Sequence, residues 1–383
     1  MRPLIERIGG GDRATGARLV AIALAAAVVC AVLGPWANRY GSYGVDTDFL
    51  AETVSEVHQW LDGVVPIGRF RGPLLSLLLV PFGALGDGWL LPAGRALAAV
   101  ASGALVLAVA AIPRTPRAKL AAAALVATNP LIVFFGASAG TETLFAALAW
   151  GALAAATPRR GDATASRRRL TAAGALASLA VLTRYNGLPL LVGVPLVAAA
   201  GGATLRTAAA RATHVALIAG LVLAPWAAFT WQMRGAPLWN LNHLNIAYAL
   251  HGEALGGWDT FWYGRAGELA FPTFRALADA DPEALRTYVL GGPRRIVETL
   301  WVAAGVPLAL AATVGVALSA RRRPGAVEIG LAVAVAGLTA PLALVFANTR
   351  FFLPLVPVLA LLASRAVGVD GRSRFGRCAT VAV

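Results

Sequence analysis

ARLVAIALAAAVVCAVLGPW, residues 17–36, is a run of twenty residues with a single charged side chain. A run of this length matches the helix that crosses the hydrocarbon core of a bilayer. YGSYGVDTDFLAETV, residues 40–54, follows almost at once and carries three carboxylates, Asp46, Asp48 and Glu52. An ordinary exit loop needs no such cluster, so these side chains mark either the start of a helix or a site.

Similar apolar runs recur along the whole chain. Of its 383 residues, 58% are hydrophobic and 14% are charged, whereas about a quarter of the residues of an average soluble domain are charged. The mean hydropathy is +0.69. This pattern predicts an all-α polytopic membrane protein. The ten predicted spans are residues 17–36, 94–112, 118–136, 140–157, 169–184, 186–203, 211–232, 297–319, 325–346 and 350–367.

The segment 71–90 is also apolar, but proline and glycine interrupt it, and the arginines indicate whether it crosses. If it does not cross, 21 of the 33 basic residues and five of the 19 acids share the side of the N-terminus. Cytoplasmic loops carry such an excess of arginine, so we predict ten crossings with both termini in the cytoplasm. Because the basic residues lie in short clusters between spans, the net charge of +14 indicates membrane topology and contact with membrane lipids, and not nucleic-acid binding.

This topology predicts one multi-pass domain in the plasma (inner) membrane, with a site on the extracytoplasmic face. Its parts are a cytoplasmic N-terminus (1–16), the transmembrane domain (17–367) with external loops at about 37–93 and 233–296, and a basic cytoplasmic tail (368–383).

Each external loop has a recognisable pattern. In the first, apolar residues recur with helical period over 48–61, which predicts a helix lying in the interface plane. The second is rich in aromatic residues, which suit either an interfacial belt, the favoured alternative, or a wall on which sugars stack. These are Trp239, Tyr248, Trp258, Phe261, Trp262, Tyr263, Phe271, Phe274 and Tyr288.

Polar residues at the ends of several spans converge on the predicted outer face. They include Asp46, Asp48, Glu142, Arg184, Tyr185, Asn186, Arg234, Trp239, Asn240, Asn348 and Arg350. Structural roles compete with a site here: Asp48 could be the N-cap of the helix that follows it, and Glu142 could cap its span. Arg184 and Arg350 could be interfacial anchors.

Carboxylates and arginines on one face suggest a division of chemical labour. A carboxylate can accept the proton of a hydroxyl as general base. Arginine can hold a phosphate leaving group through paired hydrogen bonds. In a membrane chain, the combination points to a lipid-phosphate donor reached from the bilayer.

The motifs then suggest a family. The VDTD sequence (45–48) before a predicted in-plane helix resembles the acidic motif in the first external loop of the GT-C integral-membrane glycosyltransferases. FRGPLLSLLLVPFGALGDGWLLPAGRALAAV (70–100) resembles a segment of their protein O-mannosyltransferase and aminoarabinose-transferase group, with Pro73, Gly86 and Arg95 matching. Later landmarks of that group follow in the same order: ASAGTETLF, LTRYNGLPLL, APWAAFTWQMRGAPLWN and RFFLPLVPVLALL.

The resemblance implies a GT-C-like fold of about ten transmembrane helices that transfers a mannose- or arabinose-like sugar from a polyprenyl-phosphate donor. The acceptor would be a hydroxyl of a cell-envelope glycan, lipid or protein. Asp46 would be the catalytic base, and Asp48 would support it or help to bind a divalent metal ion. Donor phosphate would meet Arg95, Arg184 and Arg350. The remaining candidates, for substrate binding, are Glu142, Tyr185, Asn186, Trp239 and His243.

One departure and one alternative remain. The motif here is Asp-x-Asp, whereas much of the nearest group has Asp-Glu, which leaves the acceptor open. The alternative function is a polytopic transporter or lipid flippase. Transporters commonly show internal repeats and polar groups near the bilayer midplane. The two halves of this chain show no repeat, and its polar residues lie at one end of the predicted spans.

Overall fold

The computed structural model describes residues 12–37, 48–158, 167–202, 204–319, 324–344 and 348–367. Within these ranges every regular element is a helix. Asp46, the predicted base, lies outside them. The first half of the chain forms α1 (Arg13–Ala37), a π-helix (Phe49–Thr53), α2 (Val54–Leu61), α3 (Leu74–Gly83), a 3₁₀ turn (Asp87–Trp89), α4 (Leu90–Ala110), α5 (Pro116–Ala127), α6 (Pro130–Gly136), α7 (Glu142–Ala156), α8 (Arg167–Thr183), a 3₁₀ turn (Tyr185–Gly187) and α9 (Leu190–Ala199).

The second half begins with the longest of the described helices and continues through several short helices in the predicted second external loop, residues 233–296. Its elements are α10 (Leu205–Arg234), α11 (Leu244–His251), α12 (Gly257–Trp262), α13 (Ala266–Ala270), α14 (Phe274–Ala280), α15 (Pro282–Leu290), α16 (Gly292–Ala304), α17 (Val306–Ser319), α18 (Ala326–Thr339), 3₁₀ turns (Ala340–Ala343 and Thr349–Leu355) and α19 (Val356–Val367).

All ten predicted spans coincide with helices. In the described ranges, five helical segments are long and apolar enough to cross a membrane, and two bent helix pairs raise the number to seven. The other three predicted spans correspond to α7, α8 and α9, which have 15, 17 and 10 residues. An α-helix rises about 1.5 Å per residue, so each of these is shorter than the roughly 30 Å of a bilayer core. Their crossing stays a prediction.

Two breaks divide predicted spans into bent pairs. Between α5 and α6 the chain turns by 60° at Asn129, whose Oδ1 accepts from the N–H groups of Leu131 and Ile132. The Asn129 side chain also donates to the carbonyl of Ala304, at 3.1 Å. Between α16 and α17 the turn is 115°, and Gly305 at the corner has a φ of +72°. The span predicted at 297–319 is therefore not one straight helix.

The apolar segment 71–90 folds into the ten-residue helix α3 and a 3₁₀ turn. A helix of this length covers about half of a bilayer core, which agrees with the prediction that the segment does not cross. It packs against α2 in a small core that includes Phe49, Val57 and Leu79. From residue 48 onward the predicted first external loop is thus a structured cap, and it places residues 48–56 beside the helix bundle.

Small residues allow the bundle to pack closely. α1 packs on α4, α4 on α7, α7 on α8, and α8 on α10. The large core between these helices is rich in alanine, with Trp150 of α7 fully buried within it. Alanine and glycine let helix backbones approach in a membrane, where packing and not water exclusion holds helices together. The ends of α7 and α8 are thereby fixed beside the first loop.

Candidate active site

A cavity of about 300 Å³ lies where the two external loops meet the ends of the helices. Its volume is at the low end of the range for small-molecule sites. Charged, aromatic and amide side chains form most of its wall. The lining residues are Asp48, Glu52, Arg69, Phe70, Arg71, Arg184, Asn186, Asn242, His243, Asn245, Ile246, Trp258, Trp262, Tyr263, Phe274, Pro341, Leu344, Arg350 and Phe351.

Asp48 joins distant parts of the chain at this cavity. Its Oδ2 accepts hydrogen bonds from Arg71 Nη2 at 3.0 Å and from Arg350 Nη1 at 2.8 Å. Its side chain is 15% exposed, and that of Arg350 is 11% exposed. Asp48 makes no side-chain cap bond, so the N-cap alternative is wrong. Charge-assisted bonds of this kind are among the stronger hydrogen bonds in proteins, and here they hold two arginines at the cavity.

A glycine allows Arg71 to reach this position. Gly72 lies directly against the C-terminal end of α8, where a Cβ would overlap the Leu182 carbonyl oxygen and lie 2.7 Å from its Cα. Because only glycine fits such a contact between two backbones, the chain passes close to α8. Arg71 is therefore brought to the same cavity wall as Arg184.

Gly72→Ala is expected to destabilise the protein by about 1–3 kcal/mol, which is the usual cost of overpacking a tight contact. The first loop would have to move away from α8, so donor use should fall as well. Thermal unfolding of the purified variant measures the first effect. Gly88→Ala is the matched control, because a Cβ at residue 88 would meet nothing within 4 Å. Equal unfolding temperatures for the two variants would contradict the proposed contact.

Residues at the N-terminus of α7 hold the Arg184 side chain in place. Its Nη1 donates to Glu142 Oε1 at 2.7 Å and to Thr141 Oγ1 at 2.9 Å, and the Glu142 side chain is 5% exposed. Glu142 does not line the cavity, so it positions Arg184. Two guanidinium groups lie near the Phe351 ring, with centroid distances of 5.5 Å for Arg184 and 5.1 Å for Arg350. Cation–π contacts of this kind keep cations in place without neutralising them.

Glu52 is the second carboxylate on the cavity wall. It follows Asp48 by one turn on the π-helix, a helix type often found at functional sites. Arg69 Nη2 lies 3.4 Å from Glu52 Oε1, and Arg69 Nη1 lies 3.9 Å from Glu268 Oε2. Arg69 thus links the first loop to the second. Burial opposes the charge of Arg71, but the nearby carboxylates Glu52 and Asp48 raise its pKa above the ordinary value.

Glu56, one turn further along, has a different character. Burial raises the pKa of its carboxyl from 4.5 to about 7, although a hydrogen bond with Ser76 and the charge of Arg71 act in the opposite direction. A large fraction of Glu56 is therefore protonated near neutral pH. This carboxyl adds less than a full negative charge to the cluster, which leaves the arginines less fully neutralised.

Glu56→Gln tests this protonation. The folded state binds the Glu56 proton more tightly than the unfolded state, so wild-type stability should fall as the pH rises from about 4.5 to about 7. The total contribution is about 3 kcal/mol. Glutamine has no proton to lose, so the variant should unfold at a higher temperature than wild type at pH 8 and approach it towards pH 4. The exposed Glu253→Gln serves as control, and parallel curves for wild type and Glu56→Gln would refute the protonation.

The predicted site residues divide into two groups. Asp48, Arg184, Asn186, His243 and Arg350 all line the cavity. The others take supporting or separate positions. Glu142 supports Arg184; Tyr185 is buried and accepts from Trp226 Nε1 at 3.0 Å; Trp239 packs against the guanidinium of Arg234; Arg95 lies on α4 beside Gly34 of α1; and Asp46 is outside the described residues.

The sequence analysis did not identify two of the cavity's arginines as site residues, nor most of the lining residues from the second loop. Arg69 and Arg71 flank Phe70 in the first loop. A signal was present, because both belong to the 12 basic residues on the predicted outer side, where the positive-inside rule disfavours them. Trp258, Trp262 and Tyr263 were known only as members of an aromatic loop, and Asn242 and Asn245 carried no distinguishing pattern.

The fold has a counterpart among solved structures. The chain is similar to the oligosaccharyltransferase of Archaeoglobus fulgidus in the apo form, with a TM-score of 0.58 and 16% identity over 95% of this chain and 52% of that one. For the same protein in complex with Zn and sulfate, the TM-score is 0.52 with 17% identity, over 94% and 51%. The chain thus spans about half the length of that protein. No family model matches the chain, and no curated protein matches it by sequence.

This likeness confirms the predicted fold class. The described chain is all helical, carries several helices suited to a membrane, and has a fold similar to that of the Archaeoglobus fulgidus oligosaccharyltransferase over nearly its whole length. At 16–17% identity the comparison concerns the fold alone.

Proposed function

We propose that this protein is an integral-membrane glycosyltransferase. It moves a sugar, mannose- or arabinose-like, from a polyprenyl-phosphate donor to a hydroxyl acceptor at the cavity. The observation that carries the proposal is the Asp48–Arg71–Arg350 cluster, with Arg184 beside it, in a chain with a GT-C fold. A lipid-linked phosphate requires buried cations near a membrane surface, and this cluster supplies them.

The charge of the cavity supports an anionic ligand. Four arginines line it, against two lining carboxylates, Asp48 and Glu52. Arginine presents several N–H donors in a planar fork, which suits the oxygens of a phosphate. When the donor binds, its phosphate can accept from Arg71, Arg184 and Arg350. Asp48 keeps the guanidinium groups of Arg71 and Arg350 oriented, and Glu142 orients that of Arg184. Such preorganised cations stabilise the charge that develops on a leaving phosphate.

The reaction then balances as a single displacement. The acceptor oxygen forms a bond to the anomeric carbon, and the bond from that carbon to the phosphate oxygen breaks. The leaving polyprenyl phosphate takes the electron pair, and its added charge faces the arginines. The hydroxyl proton passes to a carboxylate acting as general base. By the resemblance of the VDTD motif this base is Asp46, and Asp48, bonded to two guanidinium groups, is the anchor beside it.

A divalent metal ion does not fit the described residues as they stand. Both arginines bond to the same oxygen of Asp48, so a cation at that oxygen would meet two positive charges. In the described ranges, no group of three or more His, Cys, Asp and Glu side chains is placed to hold a metal. The similar oligosaccharyltransferase was solved with Zn and sulfate.

Labelled polyprenyl-phosphate mannose and polyprenyl-phosphate arabinose test the proposal. Each donor is given to the purified protein in lipid nanodiscs with a membrane extract as source of acceptors. Label is then followed in two products, transferred sugar and free sugar released to water. We expect one donor to yield transferred label. If neither donor loses its label in either form, the glycosyltransferase proposal with these donors is wrong.

A further inference from the structure

The cavity wall has two chemically different parts. The first loop, the end of α8 and the start of the last span contribute its charged residues, whereas the predicted second external loop contributes mostly rings and amides. We call the second part the aromatic–amide wall. It consists of Asn242, His243, Asn245, Trp258, Trp262 and Tyr263. Apart from His243, these side chains are uncharged, so this wall is not built for an ionic group.

Contacts with neighbouring aromatic rings hold the rings of this wall in place. Trp262 packs edge-on against Phe70 at 5.3 Å and against Phe261 at 4.8 Å, and Tyr248 lies 5.2 Å from Trp258. Such edge-to-face contacts favour defined ring orientations. The contact with Phe70 also sets the wall beside Arg69 and Arg71. The second loop therefore presents rigid apolar faces next to the arginines, and not a loose set of interfacial anchors.

The amides are held as hydrogen-bond acceptors. Asn242 Nδ2 donates to Asn240 Oδ1 at 2.9 Å and to the Phe70 carbonyl at 3.3 Å. Asn245 Nδ2 donates to the Asn242 carbonyl at 3.0 Å. With the nitrogens engaged, among the described residues Asn242 Oδ1 has only a 3.5 Å contact and Asn245 Oδ1 has none. Two carbonyl oxygens at a cavity wall are ready partners for ligand hydroxyl groups.

We propose that the aromatic–amide wall binds a sugar ring of the acceptor, so that the acceptor is a carbohydrate. A pyranose or furanose ring has apolar C–H faces and a rim of hydroxyl groups, which match flat rings and fixed acceptors. This inference rests on the proposed function. In a displacement at the anomeric carbon, acceptor and phosphate lie on opposite sides of the donor sugar. The arginines bind the donor phosphate, so the acceptor is bound by other lining residues.

Two acceptors distinguish a carbohydrate from a protein. Wild type receives the active labelled donor with a mannose or arabinose disaccharide, or with a peptide rich in serine and threonine. We expect label on a disaccharide. Trp258→Ala should lower kcat/KM for that disaccharide at least tenfold. The rate at which free sugar is released from the donor to water should fall by a smaller factor. Trp258→Phe, which keeps a flat ring, should recover part of the loss. Trp231→Ala is the matched control, since Trp231 is exposed on α10 and does not line the cavity.

A direct measurement of disaccharide binding tests the aromatic–amide wall independently of the proposed donor. Saturation-transfer NMR with each disaccharide on wild type and Trp258→Ala requires no polyprenyl phosphate. Signal on wild type that is lost in Trp258→Ala and kept in Trp231→Ala supports the wall even if neither donor reacts. No signal for either disaccharide, transfer to the peptide in preference to the disaccharides, or an equal loss of transfer and of free-sugar release in Trp258→Ala would overturn it.

Discussion

Asp46→Asn is expected to lower sugar transfer by a factor of about 10²–10⁴, the usual contribution of a general base. Asparagine has nearly the same shape as aspartate but cannot accept the hydroxyl proton. Binding of the donor should change little, because the arginines and not Asp46 are proposed to meet the phosphate. The measurement is the initial rate of transfer at saturating donor, with thermal unfolding as a check that the variant is folded.

Two variants from the same loop sharpen this experiment. Asp62→Asn alters an exposed carboxylate at the end of α2 that does not line the cavity, and it should transfer sugar at the wild-type rate. Asp48→Asn removes the charge that holds Arg71 and Arg350, so it should weaken donor binding as well as turnover. Full activity of Asp46→Asn would remove the base assignment. A loss confined to Asp48→Asn would transfer the essential role to that residue.

Arg350→Ala is the second large effect, with an expected fall in kcat/KM for the donor of about 10²–10³, typical of losing one preorganised charge-stabilising group. The acceptor KM should change much less. Donor and acceptor are therefore varied separately in initial-rate experiments. An unchanged dependence on donor concentration would contradict phosphate binding by Arg350.

Arg350→Ala is also expected to destabilise the fold, so a more conservative variant is needed to separate loss of stability from loss of donor binding. Removing one partner of a buried ion pair costs about 3–5 kcal/mol, because the other charge stays buried. Asp48 would keep only Arg71 among the described partners. Arg350→Lys retains the charge and loses the planar fork, so we expect a folded protein with weakened donor use. Arg365→Ala is the control on the same span, since Arg365 bonds to Glu328 at the exposed surface and should leave transfer unchanged.

For Asp48 and Glu142, contacts with residues far away in the sequence decided between a helix-capping role and a role at the site. From the local sequence, Asp48 suited an N-cap as well as a site, and Glu142 suited a helix start as well as substrate binding. In the structure, Asp48 bonds to Arg350, 302 positions along the chain, and Glu142 bonds to Arg184, 42 positions along. Neither pairing leaves a periodic or spacing signal, because each depends on which helix ends pack together.

The aromatic residues of the second loop show the same limit. Aromatic residues at a membrane boundary commonly form interfacial belts, and composition favours that role. Trp258, Trp262 and Tyr263 instead line the cavity with Asn242 and Asn245. Their placement depends on the short helices α11–α14 folding back on Phe70, a contact between two loops in which Phe70 and Asn242 lie 172 positions apart.

Hydropathy by itself determined where the helices lie and that residues 48–61 form a helix in the first loop, and the distribution of arginines predicted that segment 71–90 does not cross. Those features follow from runs and periods of neighbouring residues, and transfer from water to lipid is a local property of each segment. Tertiary structure alone decided the 115° turn at Gly305, the close contact of Gly72 with α8, and the meeting of Asp48 with Arg71 and Arg350. Each of these depends on side chains and backbones that are far apart in sequence, and only helix packing brings them within bonding distance.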